Sequence, residues 1–355
     1  MVARSDPTPE SQRPRRRIGF VDLFCGAGGL SYGLAKAGLV PLAGYDIDSD
    51  CEYSYTANNH AEFVQEDLAS TDPAEVRARF RGMDFSVLAG CAPCQPFSTY
   101  ARTRRSTDHR WRLLGRFGRI VAEAAPDVVT MENVEQLSHH NAFSRFAGTL
   151  ERLGYSVWWS VVRCADFGVP QTRKRLVLLA SRRGDITLQR PQERQTPTAA
   201  RAIGNQPPLA AGQQDPDDPL HRCCRLSSKN LERIRSSEPG GSWRDWDKSL
   251  VAACHARATG DTYPSVYGRM RWDEPAPTMT TQYFGFGNGR FGHPDQDRAI
   301  SLREGALLQT FPRTYRFERG GELLSAVRLG RLIGNAVPPQ LARHIGLAIR
   351  RHLLG

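Results

Sequence analysis

A chain of 355 residues, 40% hydrophobic and 24% charged, has the make-up of a globular protein and the length for one to three domains. Its formal net charge of +11 favours a polyanionic partner, of which nucleic acid is the commonest, although arginine-for-lysine bias of this kind arises equally from a GC-rich coding sequence. No apolar run approaches the roughly 18–20 residues of a membrane span. The opening MVARSDPTPESQRPRRR has no apolar segment behind its charges, so residues 1–17 are expected to be a loose basic arm rather than a secretory signal, on a cytoplasmic protein.

In chain order, IGFVDLF (18–24) predicts a strand running into CGAGG, with the helical pattern LSYGLAKAGL behind it. Strand, glycine turn and helix make a nucleotide-binding βα unit whose bare backbone lets a ligand approach. Gly26-Ala27-Gly28-Gly29-Leu30-Ser31 departs from G-x-G-x-x-G at Ser31, which weakens a dinucleotide reading. PLAGYDID predicts a second strand ending at Asp46, about 20 residues after the first glycine, where this architecture binds ribose hydroxyls. FVQED closes a third strand at Asp67, an acid able to reach an adenine amine. DFSVLAGCAP, VVTMENV and SVWWSVVRCADFGVPQTRKRLVLLAS supply the fourth strand, the fifth, and two more around a loop. Strand–helix alternation through residue 181 predicts an α/β fold: a doubly wound, mostly parallel sheet whose carbonyl-end loops bind ligands. Cys25, Asp46, Asp67, Cys94 and Glu132 all fall at predicted strand ends.

GCAPCQPFSTY (90–100) sets Cys94 between two prolines at the end of the fourth strand. At this level it reads as a core cysteine beside a turn, as half of a Cys91-x-x-Cys94 redox or zinc pair, or as a rigidly presented nucleophile. The eight cysteines are scattered through mixed segments and are expected to be reduced. Cys223, Cys224, Cys254 and His255 could join His221 in a metal site, but no metal is expected. Residues 185–309, rich in Gly, Pro, Gln and Arg, predict a smaller irregular domain with one helical period at LSSKNLERIRSS. The pattern tightens towards RLGRLIGNAVPPQLARHIGLAIRRHLL, so residues 310–355 are expected to return to the first domain, 18–184. Leu341, Ile345, Ala348 and Ile349 lie at helical spacing and need a partner surface, sought beside the CGAGG strand.

DLFCGAGG, GCAPCQPFS, MENV, QTRKR and GNAVPP, in that order, resemble the motifs of the cytosine-C5 DNA methyltransferases over nearly the whole chain apart from the arm and the variable middle. The resemblance implies a Rossmann-like fold that carries a methyl group from S-adenosylmethionine to carbon 5 of a cytosine in duplex DNA, with base flipping, a covalent Cys-C6 intermediate and 185–309 as target-recognition domain. It makes Cys94 the nucleophile, Glu132 the acid at N3 and the exocyclic amine, and Arg173 and Arg175 the pair that holds the cytosine O2 and orders Glu132. For the cofactor it implies Phe24, Gly26 and Gly29 at the methionine end and Asp46 on the ribose, where glutamate is frequent. Ile47, Asp67 and Leu68 are expected at the adenine, with Pro93 and Asn335 closing the site.

Residues 97–118 are expected to form a loop that closes on DNA with its arginines, Arg116 among them, on phosphates. DNA contacts are placed at Gln95, Ser98, Arg102, Arg104, Arg105, Thr278, Gln282 and Arg290, Thr278 resembling a phosphate-holding threonine. The setting implied is a bacterial monomer with a restriction endonuclease or defence system beside it. A tRNA cytosine-C5 methyltransferase is the nearest rival, but the Cys-Phe-Thr motif usual in that branch is absent. A catalytically inactive DNA-binding repressor is the other, though it need not keep Cys94, Glu132 and Arg173.

Overall fold

The computed structural model describes residues 16–92, 111–192, 197–257, 260 and 264–355. Strand β1 (Ile18–Leu23) is buried throughout: Ile18 and Phe20 enter one core cluster, Val21 and Leu23 another. That is the two-sided burial of a central parallel strand. With β2 (Val40–Asp46), β3 (Glu62–Gln65), β4 (Phe85–Gly90), β5 (Val128–Val134), β6 (Ser156–Arg163) and β7 (Lys174–Ser181) it forms one sheet in the order β3-β2-β1-β4-β5-β7-β6. All pairings are parallel except those of β7, which runs antiparallel to both β5 and β6. The doubly wound expectation holds, with one reversed strand. Strand order switches direction between β1 and β4, which opens a crevice at their carboxyl ends.

The helices are α1 (Gly29–Lys36), α2 (Glu52–Asn59), α3 (Pro73–Arg79), α4 (Trp111–Ala124), α5 (Asn141–Arg152), α6 (Ala199–Ile203), α7 (Ser228–Arg235), α8 (Leu302–Leu308), α9 (Ala326–Asn335) and α10 (Pro339–Leu354). One sheet face is covered by α1 and α10, through Leu30, Leu34, Leu341, Ile345 and Ile349. The other is covered by α4 and α5, through Phe117, Ile120, Phe143 and Phe146. The two helices α1 and α10 meet through small residues. A Cβ on Gly33 would stand 2.3 Å from the Pro339 carbonyl oxygen, and one on Gly346 would stand 2.6 Å from the Ala37 Cβ. Thus the last helix completes the face of the sheet that starts the chain.

Residues 199–336 build a separate cluster around Met270, Met279, Tyr283, Phe311, Leu329 and Ile333, which reaches Ala27 and Cys51. Its polar interior is fully paired at one point. Arg298 donates to both oxygens of Glu304 at 2.7 and 2.8 Å, and neither side chain reaches solvent. Among the described residues no helix is long and apolar enough to cross a membrane.

Candidate active site

A cavity of about 640 Å³ opens at the switch point, within the roughly 300–1,000 Å³ of small-molecule sites. Its floor is the turn after β1, where Phe24, Gly26 and Gly28 adopt φ of 60°, 53° and 88°. For Phe24 this is strained backbone of the kind that clusters at functional sites. A Cβ on Gly26 would meet nothing within 4 Å, so only glycine leaves this stretch of the wall bare. Gly29 has a different task from the one expected. A Cβ there would stand 2.4 Å from the Val337 carbonyl oxygen, so Gly29 admits the C-terminal turn and does not line the cavity.

The Asp46 carboxylate, at the end of β2, accepts from the backbone N–H of Gly26 at 2.9 Å and of Asp48 at 3.0 Å. Burial pushes its carboxyl up from the ordinary range, opposed by these two donors. Ile47 lines the same wall and is 65% exposed, an apolar side chain held open at the cavity. Asp67 and the buried Leu68 follow β3 and border the cavity as well. Asn335, the last residue of α9 rather than part of a free turn, faces it from the opposite side. There Arg331 pairs with Asp48 at 3.0 Å and with Asp50, joining α9 to the segment after β2.

Arg116 departs from expectation. It lies on α4, which begins at Trp111, so the stretch 97–118 is not one loop. Its guanidinium donates to the Leu68 carbonyl at 3.1 Å and to the Thr71 carbonyl at 2.7 Å. Arg116 therefore pins the segment after β3 instead of standing ready for phosphate. Beneath the cavity, Asp22 of β1 is fully buried. The Ser31 hydroxyl donates to its Oδ2 at 2.7 Å, and its Oδ1 has no hydrogen-bond partner among the described residues. Burial pushes this carboxyl up to about 7.

Beyond the end of β4 the site turns polar. Glu132 of β5 is 3% exposed. The Cys91 thiol donates to its Oε2 at 3.2 Å, and Arg175 Nε lies 3.0 Å from its Oε1. That guanidinium is out of line for a hydrogen bond, so Oε1 is a buried acceptor with no donor among the described residues. Arg173 does not pair with Glu132 directly. It donates to the Met279 carbonyl at 2.9 Å and approaches those of Gly334 and Ala336 at 3.5 Å. Its Nε is likewise buried without an acceptor among the described residues. Burial, then the neighbouring Arg175, pulls the Arg173 guanidinium down to about 10, so it remains charged at neutral pH.

Around these groups sequence reasoning missed the amides that hold the parts together. Gln171, fully buried, donates to the Leu308 carbonyl and to Gln309 Oε1, at 2.8 and 2.7 Å. It also accepts from the Met279 N–H at 2.8 Å. Thr172 N–H donates to the Ala276 carbonyl, and Ala276 N–H to that of Pro170, so 275–279 docks as a short parallel ladder on 170–172. Thr278 and Arg290 line a second cavity of about 330 Å³ that also touches Thr172. Among the described residues Arg290 Nε is buried without a partner, and Gln282 is exposed nearby in sequence. The structure thus brings Glu132, Arg173 and Arg175 together and gathers Phe24, Gly26, Asp46, Ile47, Asp67, Leu68 and Asn335 around one cavity. Pro93, Cys94, Gln95, Ser98, Arg102, Arg104 and Arg105 lie outside the described residues. No group of three His, Cys, Asp or Glu side chains among the described residues is arranged to hold a metal ion. His221 instead contacts the Ser301 hydroxyl and the Pro207 carbonyl, at 2.8 and 2.9 Å.

The comparisons agree with this geometry. Residues 18–351 match the family model described as C-5 cytosine-specific DNA methylase. The Type II methylase M.HgiDII of Herpetosiphon aurantiacus is 47% identical, over 94% of this chain and 96% of that protein. The Type II methyltransferase M1.HphI of Haemophilus parahaemolyticus is 33% identical, over 93% and 86%. A solved Escherichia coli structure, a putative DNA modification methyltransferase encoded within a prophage, superposes with a TM-score of 0.73 at 22% identity, covering 95% of this chain and all of that one. A methyltransferase-type cavity, a buried carboxylate beside it and a family match across almost the full length have one explanation: the chain belongs to the C-5 cytosine-specific DNA methylases.

Proposed function

We propose that this cytosine-C5 DNA methyltransferase uses S-adenosylmethionine and acts on one cytosine of a defined duplex sequence, flipped out of the helix. The observation that carries the reading is two atoms buried without partners among the described residues, Glu132 Oε1 and Arg173 Nε, the former on a carboxylate hydrogen-bonded to the cavity-lining Cys91. Buried polar atoms are rarely left unpaired, and one acceptor with one donor fits the amine and O2 edge of cytosine. The cavity residues fit the cofactor: bare Gly26 at the methionine end, Asp46 for the ribose hydroxyls, Ile47, Asp67 and Leu68 for adenine, and Asn335 opposite. When bound there, S-adenosylmethionine supplies an electrophilic sulfonium methyl group for carbon 5.

Cytosine C5 is too electron-poor to attack unaided. The motif assigns Cys94 as the thiolate that adds to C6, converting C5 into an enamine-like carbon. Electron density then moves towards N3, where Glu132 as the acid donates a proton or hydrogen bond, and it takes the proton back when the ring is restored. Arg175 holds Glu132 in place, and with Arg173 offers donors to O2. Loss of the C5 proton and departure of the Cys94 sulfur restore the ring. Segment 185–309, which carries Thr278, Gln282 and Arg290, supplies sequence readout, its ladder on 170–172 placing it beside the acid. The Type II names of the relatives support a bacterial restriction-modification setting, in the cytoplasm with the DNA, beside a cognate endonuclease.

The test is transfer of tritiated methyl from S-adenosylmethionine to unmethylated duplex DNA and to tRNA, with single-base methylation sequencing of DNA from an expressing host. Labelled 5-methylcytosine at one sequence motif in DNA is expected. Label confined to tRNA, or none on either, refutes the reading.

A further inference from the structure

We propose that Cys91 is a positioning residue for Glu132, a role that rests on the functional reading above. Cys91 follows the last residue of β4, and its N–H donates to the Leu23 carbonyl at 3.2 Å, so its backbone is fixed by the end of β1. Its thiol donates to Glu132 Oε2 at 3.2 Å, and the same residue lines the wall of the cofactor-type cavity. The next residue is held from the same side: Asn133 Nδ2 donates to the Ala92 carbonyl at 2.8 Å, while Asn133 Oδ1 accepts from Val134 N–H. Two neighbours on β5 thus grip two neighbours after β4, immediately before the segment that carries Cys94.

The thiol is what fixes the carboxylate's rotation. Arg175 approaches Oε1 without a hydrogen bond and would hold Glu132 equally well over a range of angles, since a charge contact has little directional preference. A donor on Oε2 leaves Oε1 aimed away from Cys91, free for the base. The other charged or titratable groups around Glu132, Arg173 and Cys164, exert only field effects on it. The proposal therefore requires a donor at position 91, not a reactive thiol, and separates Cys91 from a redox partnership with Cys94.

The experiment is single-turnover transfer from tritiated S-adenosylmethionine to unmethylated plasmid DNA, with enzyme in excess, alongside cofactor and DNA dissociation constants and melting curves. Cys91→Ser keeps a donor and should stay within about 2-fold of wild type, whereas Cys91→Ala should lose roughly 10-fold in rate with both binding constants unchanged, the effect of one charge-assisted hydrogen bond. Should Cys91→Ala fail to fold, Cys91→Val, close to cysteine in size, should show the same slow chemistry. A donorless variant as fast as wild type overturns the proposal, as does a Cys91→Ser that folds and binds but is as slow as Cys91→Ala. No transfer by the wild type would overturn the functional reading itself, and this proposal with it.

Discussion

Asp22→Asn should make the protein more stable above neutral pH and flatten its stability profile. In the folded chain burial holds the Asp22 carboxyl near 7, against an ordinary value of 3.8. An acid whose pKa is raised on folding is bound to its proton more firmly in the folded state. Its stabilising contribution is complete below about pH 4 and is lost as pH rises to about 7. Each unit is worth about 1.4 kcal/mol, so between pH 5 and pH 8 the wild type should lose roughly 3 kcal/mol that an asparagine cannot lose. The asparagine mimics the neutral acid and can donate to Ser31, whose hydroxyl in turn can reach Tyr55 at 3.2 Å. Asp46, also raised by burial, titrates in both proteins, but its charge repels that of Asp22, so its contribution cancels only in part. Urea unfolding at pH 5, 6, 7 and 8 measures it directly. The two midpoints should diverge steadily up to about pH 7 and run parallel beyond. Midpoints that stay a constant distance apart from pH 5 to pH 8 would show that Asp22 is ionised throughout, and that the reasoning is wrong.

Three further outcomes are expected. Glu132→Gln keeps the shape of the side chain but not its proton exchange, so single-turnover methylation should fall by roughly 10²–10⁴-fold with DNA affinity retained. Arg116→Ala frees the Leu68–Thr71 segment and should raise the S-adenosylmethionine dissociation constant, read by calorimetry, while DNA affinity stays as it was. Gly33→Ala gains up to about 1 kcal/mol of helix propensity, but drives a Cβ to within 2.3 Å of the Pro339 oxygen. Overpacking of that kind costs roughly 1–3 kcal/mol, so a net loss in unfolding midpoint is expected.

Much of the sheet was legible because buried parallel strands are short, unbroken apolar runs bounded by turns. The direction of β7 was not, since period-two patterning is the same read either way along a strand. Six arginines gave 97–118 the look of a basic loop. Yet Leu114, Phe117, Ile120, Val121 and Ala124, all buried in one cluster, already spelled a helix face. Two glycines of one motif proved to have opposite surroundings, Gly26 open and Gly29 packed against Val337, which no local pattern encodes. Nothing in the sequence marks Arg298 and Glu304 as a buried pair, because only the fold brings them face to face.

The segment Gln171–Arg175 explains why the site and the middle segment cannot move independently. Alternate residues of an extended chain point the same way, and Gln171, Arg173 and Arg175 tie this strut to several other segments. Gln171 grips Met279 and the end of α8, Arg173 grips Met279 and the turn after α9, and Arg175 stands against Glu132. Gln309 extends the grip to Ile333 and Ala336 at 2.7 and 3.2 Å. To shift 275–280 relative to the sheet would break the Thr172–Ala276 ladder and strand the buried Gln171 and Arg173 donors. Each such stranded group costs about 1–3 kcal/mol, and more for the charged one. A disturbance of 275–280 that exceeds this threshold must reposition Arg173, and two residues further on Arg175 stands 3.0 Å from Glu132. The segment 275–280 and the buried Glu132 are therefore tied to one strut, and on the proposed function a mispositioned 275–280 should slow methyl transfer through Arg173 and Arg175.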